Sequence, residues 1–221
     1  MRDTARSSAE SPRVRVTDSD EIEFGARALG VELQETQRDR LLQFAALLRR
    51  WGAAFNLVSR RDGPRLVARH LLDSLSLAPM LQGKRVVDLG TGAGLPGVPL
   101  AIACPDREFT LIDRSERRIR FVRQAASELG LTNVVPIAAD FGDFRAEPLF
   151  DTVVSRAVAK PAALWRVAVD LMTAGGIALF QVGEPEVDPA DVEADARSAS
   201  VRIPGLNRTH HVLRMSRRSA E

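Results

Sequence analysis

The chain has 221 residues, 45% hydrophobic and 27% charged, and its 31 basic and 29 acidic side chains leave a formal net charge of +2. At about 100 to 200 residues per domain, this is one full domain with an appendage or two small ones, and the ordinary composition excludes wholesale disorder and fibrous repeats. A single cysteine, Cys104, excludes an internal disulfide, a cysteine zinc cluster and a CxxC redox pair, while no apolar run approaches the roughly 20 residues of a membrane helix.

From Met1 to Thr17 the chain is rich in Ser, Arg, Asp and Glu, which predicts a mobile tail. It has no apolar block of the signal-peptide kind, so a cytoplasmic protein is expected. From Asp18 to Leu57 the pattern predicts helix: Leu41, Phe44, Ala45, Leu48 and Trp51 recur at the spacing of one buried face, with Arg38, Arg40, Arg49 and Arg50 mainly off it. A third helix is expected from Asp62, where Asp-Gly-Pro supplies a cap and a first-turn proline, through Leu66, His70 and Leu75. Residues 18–82 are therefore a helical lead-in, and Trp51 and Phe55 read as core rather than as platforms for bases.

After Gly83 short apolar runs alternate with amphipathic segments. Arg85 to Leu89, Phe109 to Ile112, Val134 to Ile137, Thr152 to Ser155 and Ile177 to Gln181 read as strands. Segments starting near Leu95, Ser115, Pro161 and Asp188 read as helices. That alternation predicts right-handed βαβ units, a mainly parallel sheet with helices on both faces, over residues 83–221. Val201 to Ile203 and His210 to Met215 are candidates for two closing strands, the last antiparallel. His210 and His211 then point to opposite faces, which suits structural roles better than a shared metal, and no metal site is expected.

The chemistry is concentrated in VVDLGTGAGLPG, Val86 to Gly97, where the first strand meets its helix. Gly90, Gly92 and Gly94 permit a tight turn and close approach of backbone to a ligand. Asp113 ends the second strand, where a carboxylate can accept both hydroxyl hydrogens of a ribose, so an adenosine-containing cofactor is expected at the carboxyl ends of the strands. Gly92, Gly94 and Gly97 also satisfy the dinucleotide fingerprint. Asp88 discriminates by charge: a carboxylate there repels a pyrophosphate and suits the ammonium of S-adenosylmethionine (SAM). Twenty-nine of the 31 basic residues are arginine. They cluster at Arg49, Arg50, Arg60, Arg61, Arg65 and Arg69, again at Arg114, Arg117, Arg118, Arg120 and Arg123, and at Arg214, Arg217 and Arg218. Each cluster reads either as a phosphate-binding surface or as a solvated helix face.

RHLLDSLSLAPML (Arg69 to Leu81), DLGTGAGLPGVPLAI (Asp88 to Ile102), FTLIDRSERRIRFVRQAASELGL (Phe109 to Leu131) and FDTVVSRAVA (Phe150 to Ala159) resemble the RsmG, or GidB, family. The resemblance extends from about Leu41 to Val182, including WGAAFNLVS (Trp51 to Ser59). Its members are class I SAM-dependent methyltransferases with a Rossmann-like fold that methylate guanine N7 in bacterial 16S rRNA. The resemblance implies SAM contacts at Gly90 and Leu95, a ribose acid at Asp113, an adenine border at Phe141 and Gly142, and a site arginine at Arg156. Asp88, Gly92, Gly94, Arg114 and Asp140 complete the expected cofactor set, while Arg69, His70, Arg117 and Arg118 are expected to meet RNA.

Three positions depart from the family pattern. Gly142 stands where a glutamate is usual, with Asp140 available to replace it; Val182 stands for a lysine; Thr209 stands for the arginine of an Arg-His pair. Guanine N7 carries an exposed lone pair, so its methylation needs alignment and no prior deprotonation. Cys104, inside an expected helix, reads as a small core residue and not a nucleophile. The expected partner is 16S rRNA, free or in the 30S subunit, met by a monomer. Two alternatives stay open: a diverged RsmG-like methyltransferase acting on another RNA or a small molecule, and an NAD-binding oxidoreductase or non-catalytic nucleotide-binding module.

Overall fold

In the computed structural model, residues 17–55, 65–156, 159–183, 194–207 and 209–218 are described, with the side chains of 52–55 excepted. The expected tail up to Val16, Arg60 and Arg61, the Asp62 cap, the helix near Asp188 and the Phe55 side chain lie outside them, while Thr17, expected in the tail, caps the first helix.

Helix α1 (Asp18–Ala28) opens on a reciprocal cap, in which Asp20 N–H donates to Thr17 Oγ1 at 3.2 Å and Thr17 N–H to Asp20 Oδ2 at 3.0 Å. The helical stretch expected from Asp18 to Leu57 holds two helices. Gly30, at φ +75°, closes α1 with N–H bonds from Gly30 to the Arg27 carbonyl and from Val31 to that of Ala26. This left-handed cap satisfies the last carbonyls and ends the helix. Helix α2 (Glu35–Phe55) then docks through Gln37, whose amide donates to the carbonyls of Ile102 and Ala103. A π-helical turn, Val67–Leu72, runs into the short α3 (Asp73–Leu75), and α1 crosses it so closely that a Cβ on Gly25 would meet Leu72 at 2.3 Å.

The remainder is a sheet in the order β3-β2-β1-β4-β5-β7-β6. Strands β1 (Arg85–Leu89), β2 (Glu108–Asp113), β3 (Val134–Ala138), β4 (Phe150–Arg156) and β5 (Met172–Val182) are parallel. Strands β6 (Ala194–Arg202) and β7 (Thr209–Arg217) form the expected antiparallel hairpin, β7 pairing with β5. Helices α4 (Gly97–Ala103), α5 (Glu116–Glu128) and α6 (Pro161–Leu171) supply the crossovers. Cys104 follows α4 as its C-cap, half-buried, rather than lying within the helix.

Strand alternation sorts the core onto two faces. Val86, Ile177 and Leu179 join Leu41, Phe44 and Leu48 of α2 and Phe121 of α5, while Val87, Leu89, Ala178 and Phe180 join Leu164 and Trp165 of α6. The N-terminal helices thus share one core with the sheet, and Trp51 packs on Phe121 with ring centroids 6.1 Å apart. Strand order reverses between β1 and β4, which places a crevice at the carboxyl ends of those strands. Among the described residues no helix is long and apolar enough to cross a membrane.

Candidate active site

A cavity of about 440 Å³ opens at that crevice, within the range of small-molecule sites. Its wall includes Gly90 after β1, Asp113, Arg114 and Arg118 after β2, Asp140 and Phe141 after β3, and Arg156 at the end of β4.

The loop after β1 is built from below by Asp88. Asp88 is fully buried; its Oδ2 accepts from Thr91 Oγ1 at 2.7 Å and from Gly97 N–H at 2.9 Å, binding both ends of the loop. A Cβ at Gly97 would come within 2.9 Å of that oxygen and 2.1 Å of Leu111, so the close approach requires glycine. Gly90, Gly92 and Gly94 all have φ between 60° and 80°, the left-handed region that the turn demands. Burial raises the Asp88 carboxyl to about 6, against the bonds from Thr91 and Gly97 and the charge of Arg156, which lower it; Asp113 raises it further. Asp88 Oδ1 is buried and has no hydrogen-bond partner among the described residues.

Asp113, 4% exposed, ties the loop to the second strand. Its Oδ2 accepts from Gly92 N–H at 3.0 Å, its Oδ1 from Ser115 N–H at 2.8 Å, and Arg118 Nη1 stands 3.4 Å from Oδ2. Each carboxylate oxygen retains acceptor capacity for a ribose hydroxyl. Asp140 Oδ1 accepts from Gly142 N–H at 2.9 Å, which folds the turn that carries Phe141 to the wall. Arg156, with 22% of its side chain exposed, directs Nη1 to Asp73 Oδ2 at 3.4 Å and to the Arg69 carbonyl at 3.5 Å.

The structure therefore brings Gly90, Asp113, Arg114, Asp140, Phe141 and Arg156 of the expected cofactor set together on one wall. Asp88 lies beneath that wall, and Gly92, Gly94, Leu95 and Gly142 shape its loops. The residues expected to meet RNA separate. Arg117 is exposed on α5, but Arg118 stands on the cavity wall against Asp113, and the His70 side chain is buried in the π-helical turn. Val182, half-buried at the end of β5, pairs with His211. Asp73, within the RHLLDSLSLAPML stretch, and His210, expected as structural, are not among the expected site residues, yet Asp73 Oδ1 lies 2.8 Å from His210 Nδ1. These partners are 137 residues apart in the chain, and no local spacing pairs them.

A glycine loop over a buried acid, a second acid at the next strand end and a cavity at the switch point define an α/β methyltransferase of the Rossmann-like class. Asp88 Oδ1, an orphaned acceptor under the loop, and the spare acceptor capacity of Asp113 fit the ammonium and ribose of SAM. The solved structure of M. jannaschii TYW2 in complex with AdoMet shares this fold, with a TM-score of 0.53, 18% identity, and coverage of 66% of this chain and 74% of that one.

The chain belongs to the GidB family, rRNA small subunit methyltransferase G, whose model matches residues 37–212. It is 43% identical over 197 residues to ribosomal RNA small subunit methyltransferase G of Methylococcus capsulatus, covering 88% of this chain and 96% of that protein. The same-named protein of Nitrosococcus oceani is 37% identical over 204 residues, with 90% and 95% covered. Membership in a SAM-dependent rRNA methyltransferase family sets aside the oxidoreductase and the non-catalytic module.

Proposed function

We propose that this protein transfers the methyl group of SAM to N7 of a guanine in 16S rRNA of the small ribosomal subunit. The observation that carries this reading is the order of groups along the strand ends: Phe141 and Asp140 by β3, Asp113 at β2, Gly90 at β1 and Arg156 at β4. Such an order matches an adenine, a ribose, a methionyl group and an acceptor laid side by side along one edge.

When bound, SAM supplies an electrophilic methyl on a sulfonium. The protein's residues supply alignment. Phe141 borders the adenine, Asp113 accepts from the ribose hydroxyls, and the loop of Gly90 and Gly92 offers backbone that a side chain would block. Asp88 complements the ammonium from beneath, directly or through water. Arg156 holds the acceptor end by a planar, multi-donor guanidinium. No side chain need take a proton from N7, whose lone pair is already exposed, so near-attack geometry is what the site contributes.

The test is incubation of the purified protein and methyl-labelled SAM with 30S subunits and with protein-free 16S rRNA, both from a strain deleted for the enzyme. Nucleoside mass mapping should find the label as 7-methylguanosine. Label in another nucleoside or in neither substrate would overturn the reading, and would point to the divergence that Gly142 and Val182 suggest.

A further inference from the structure

Next to the cavity, one buried carboxylate organises three adjacent strands. Asp73, 4% exposed, comes from α3 in the helical lead-in. Its Oδ2 faces Arg156 Nη1 at 3.4 Å, and its Oδ1 faces His210 Nδ1 at 2.8 Å and Gln181 Nε2 at 3.3 Å. The Asp73 carbonyl accepts a second bond from Gln181 Nε2 at 2.8 Å. Arg156 ends β4, Gln181 is its register partner near the end of β5, and His210 lies at the start of β7. These strands are neighbours, so the three side chains form a row along the same edge that carries the cavity.

A carboxylate only accepts, which fixes two orientations: His210 carries its proton on Nδ1, and the Gln181 amide turns its nitrogen to Asp73. That leaves Gln181 Oε1 buried with no donor among the described residues. For stability alone this is a poor device. Burying a carboxylate costs more than burying an apolar side chain of similar volume, and apolar contacts would join the strands equally well. What the carboxylate adds is direction, because each donor is held at one angle.

Arg156 belongs to both the cavity wall and this row. Its contacts with Asp73 and the Arg69 carbonyl use Nη1, which leaves the Nε and Nη2 hydrogens to meet a ligand in the cavity. Along the sheet, the cofactor groups run from β3 to β1, and the row continues from β4 to β7. We propose that Asp73 is a positioning residue for methyl transfer, its carboxylate fixing Arg156, Gln181 and His210 as one row against which the acceptor base seats. This rests on the function proposed above. Arg156 donates to guanine O6, an acceptor adjacent to N7, so the base is oriented while the N7 lone pair stays free for the methyl group.

Asp73→Asn retains the volume and removes the charge. At saturating SAM, with enzyme in saturating excess over subunits, its single-turnover rate on 30S subunits should fall on the order of a hundredfold, as for a small misalignment of reacting atoms. Its melting temperature should stay near that of wild type, and the loss should lie in the rate of the bound complex rather than in KM for subunits. His210→Gln should lose less. The double variant should be no slower than Asp73→Asn alone, since residues acting as a unit are not additive.

Wild-type rates in folded Asp73→Asn would overturn the proposal, as would losses that multiply in the double variant. If Asp73→Asn does not fold, His210→Gln decides: a reduced rate at normal KM supports the row, and an unchanged rate overturns it. Wild-type protein that leaves guanine N7 unmodified defeats the functional reading itself; wild-type protein that methylates beside unimpaired variants defeats only the positioning role.

Discussion

On the β1–β2 half of the strand edge, the site is tied by short-range bonds: Asp88 to Gly97 across nine residues and Asp113 to Gly92 across 21. On the β4–β5–β7 half, Asp73 reaches Arg156, Gln181 and His210 across 83, 108 and 137 residues. The first half is a compact element that any sequence able to make the turn must spell out locally. The second is assembled only when the N-terminal helices and the C-terminal hairpin have both docked. On the function proposed above, the bonds of the cofactor end lie within the Rossmann-like core, whereas those of the acceptor end also draw on the parts added to it.

The largest effect should follow from breaking the residue the two halves share. Arg156→Ala removes a guanidinium from the cavity wall and a partner from Asp73, and should lower single-turnover methylation on the order of a hundredfold. His210 and Gln181 still face Asp73 in that variant, so thermal stability should fall much less than activity. Arg156→Lys separates charge from geometry: partial rescue would indicate that charge suffices, and no rescue that the planar fork is required. A wild-type rate in the alanine variant would remove Arg156 from the site.

Asp113→Ala should strike the cofactor half. It should weaken SAM by about 1 to 3 kcal/mol, through loss of charge-assisted hydrogen bonds, as read by titration calorimetry. The structure adds that Gly92 and Ser115 lose an acceptor too, so the loop should loosen. Asp113→Asn, which can still accept from Gly92, should retain more affinity than alanine. Equal dissociation constants for wild type and both variants would exclude a ribose contact.

How far the sequence disclosed each half follows from these separations. The strands, their crossovers and the acids Asp88 and Asp113 were legible because apolar periodicity and glycine turns are local. So was Arg156, from its place at a strand end and from the family resemblance. The break between α1 and α2 is marked locally too, by Gly30, and the same cap recurs at Gly130, where the end of α5 also carries a positive φ. For His210 strand alternation gives the face but not the partner, and Asp73 lies in RHLLDSLSLAPML, a stretch that carries the family resemblance without disclosing which distant side chains this carboxylate meets. Arg118 was grouped with its basic neighbours, since the one bond that separates them, to Asp113, is a matter of helix phase relative to the sheet.

Asp88 tests whether the cofactor half is kept at some cost in stability. Its carboxyl titrates near 6 in the fold against an ordinary 3.8, so between those values the folded chain holds a proton that the unfolded chain releases. Stability therefore falls as pH rises through that window, and the full cost, roughly 3 kcal/mol at most, is present above it. Asp88→Asn keeps an acceptor for Thr91 and Gly97 and removes the buried charge. Its melting temperature should exceed that of wild type at pH 8, and the gain should shrink toward pH 4, while SAM binding weakens. A difference in melting temperature independent of pH would show that the charge carries no such penalty.

The smallest effect concerns RNA, and the structure sharpens which arginines to change. On α5, Arg118 stands on the cavity wall against Asp113, so it is not a clean probe of a phosphate surface. Arg117 and Arg120 are both exposed and lie one turn apart on the same helix. Reversing these two to Glu should leave SAM affinity at the wild-type value, because neither stands on the cavity wall described above. Binding to 16S rRNA should weaken and lose part of its salt dependence, by about 0.7 to 0.9 in the log–log slope for each phosphate contact removed. Affinity measured over a salt series is the decisive reading, since a nonspecific fold defect would lower affinity without flattening the slope. An unchanged slope would make this face of α5 a solvated helix surface, and would leave the clusters around Arg65 and Arg69 and around Arg214 and Arg218 as the next surfaces to test.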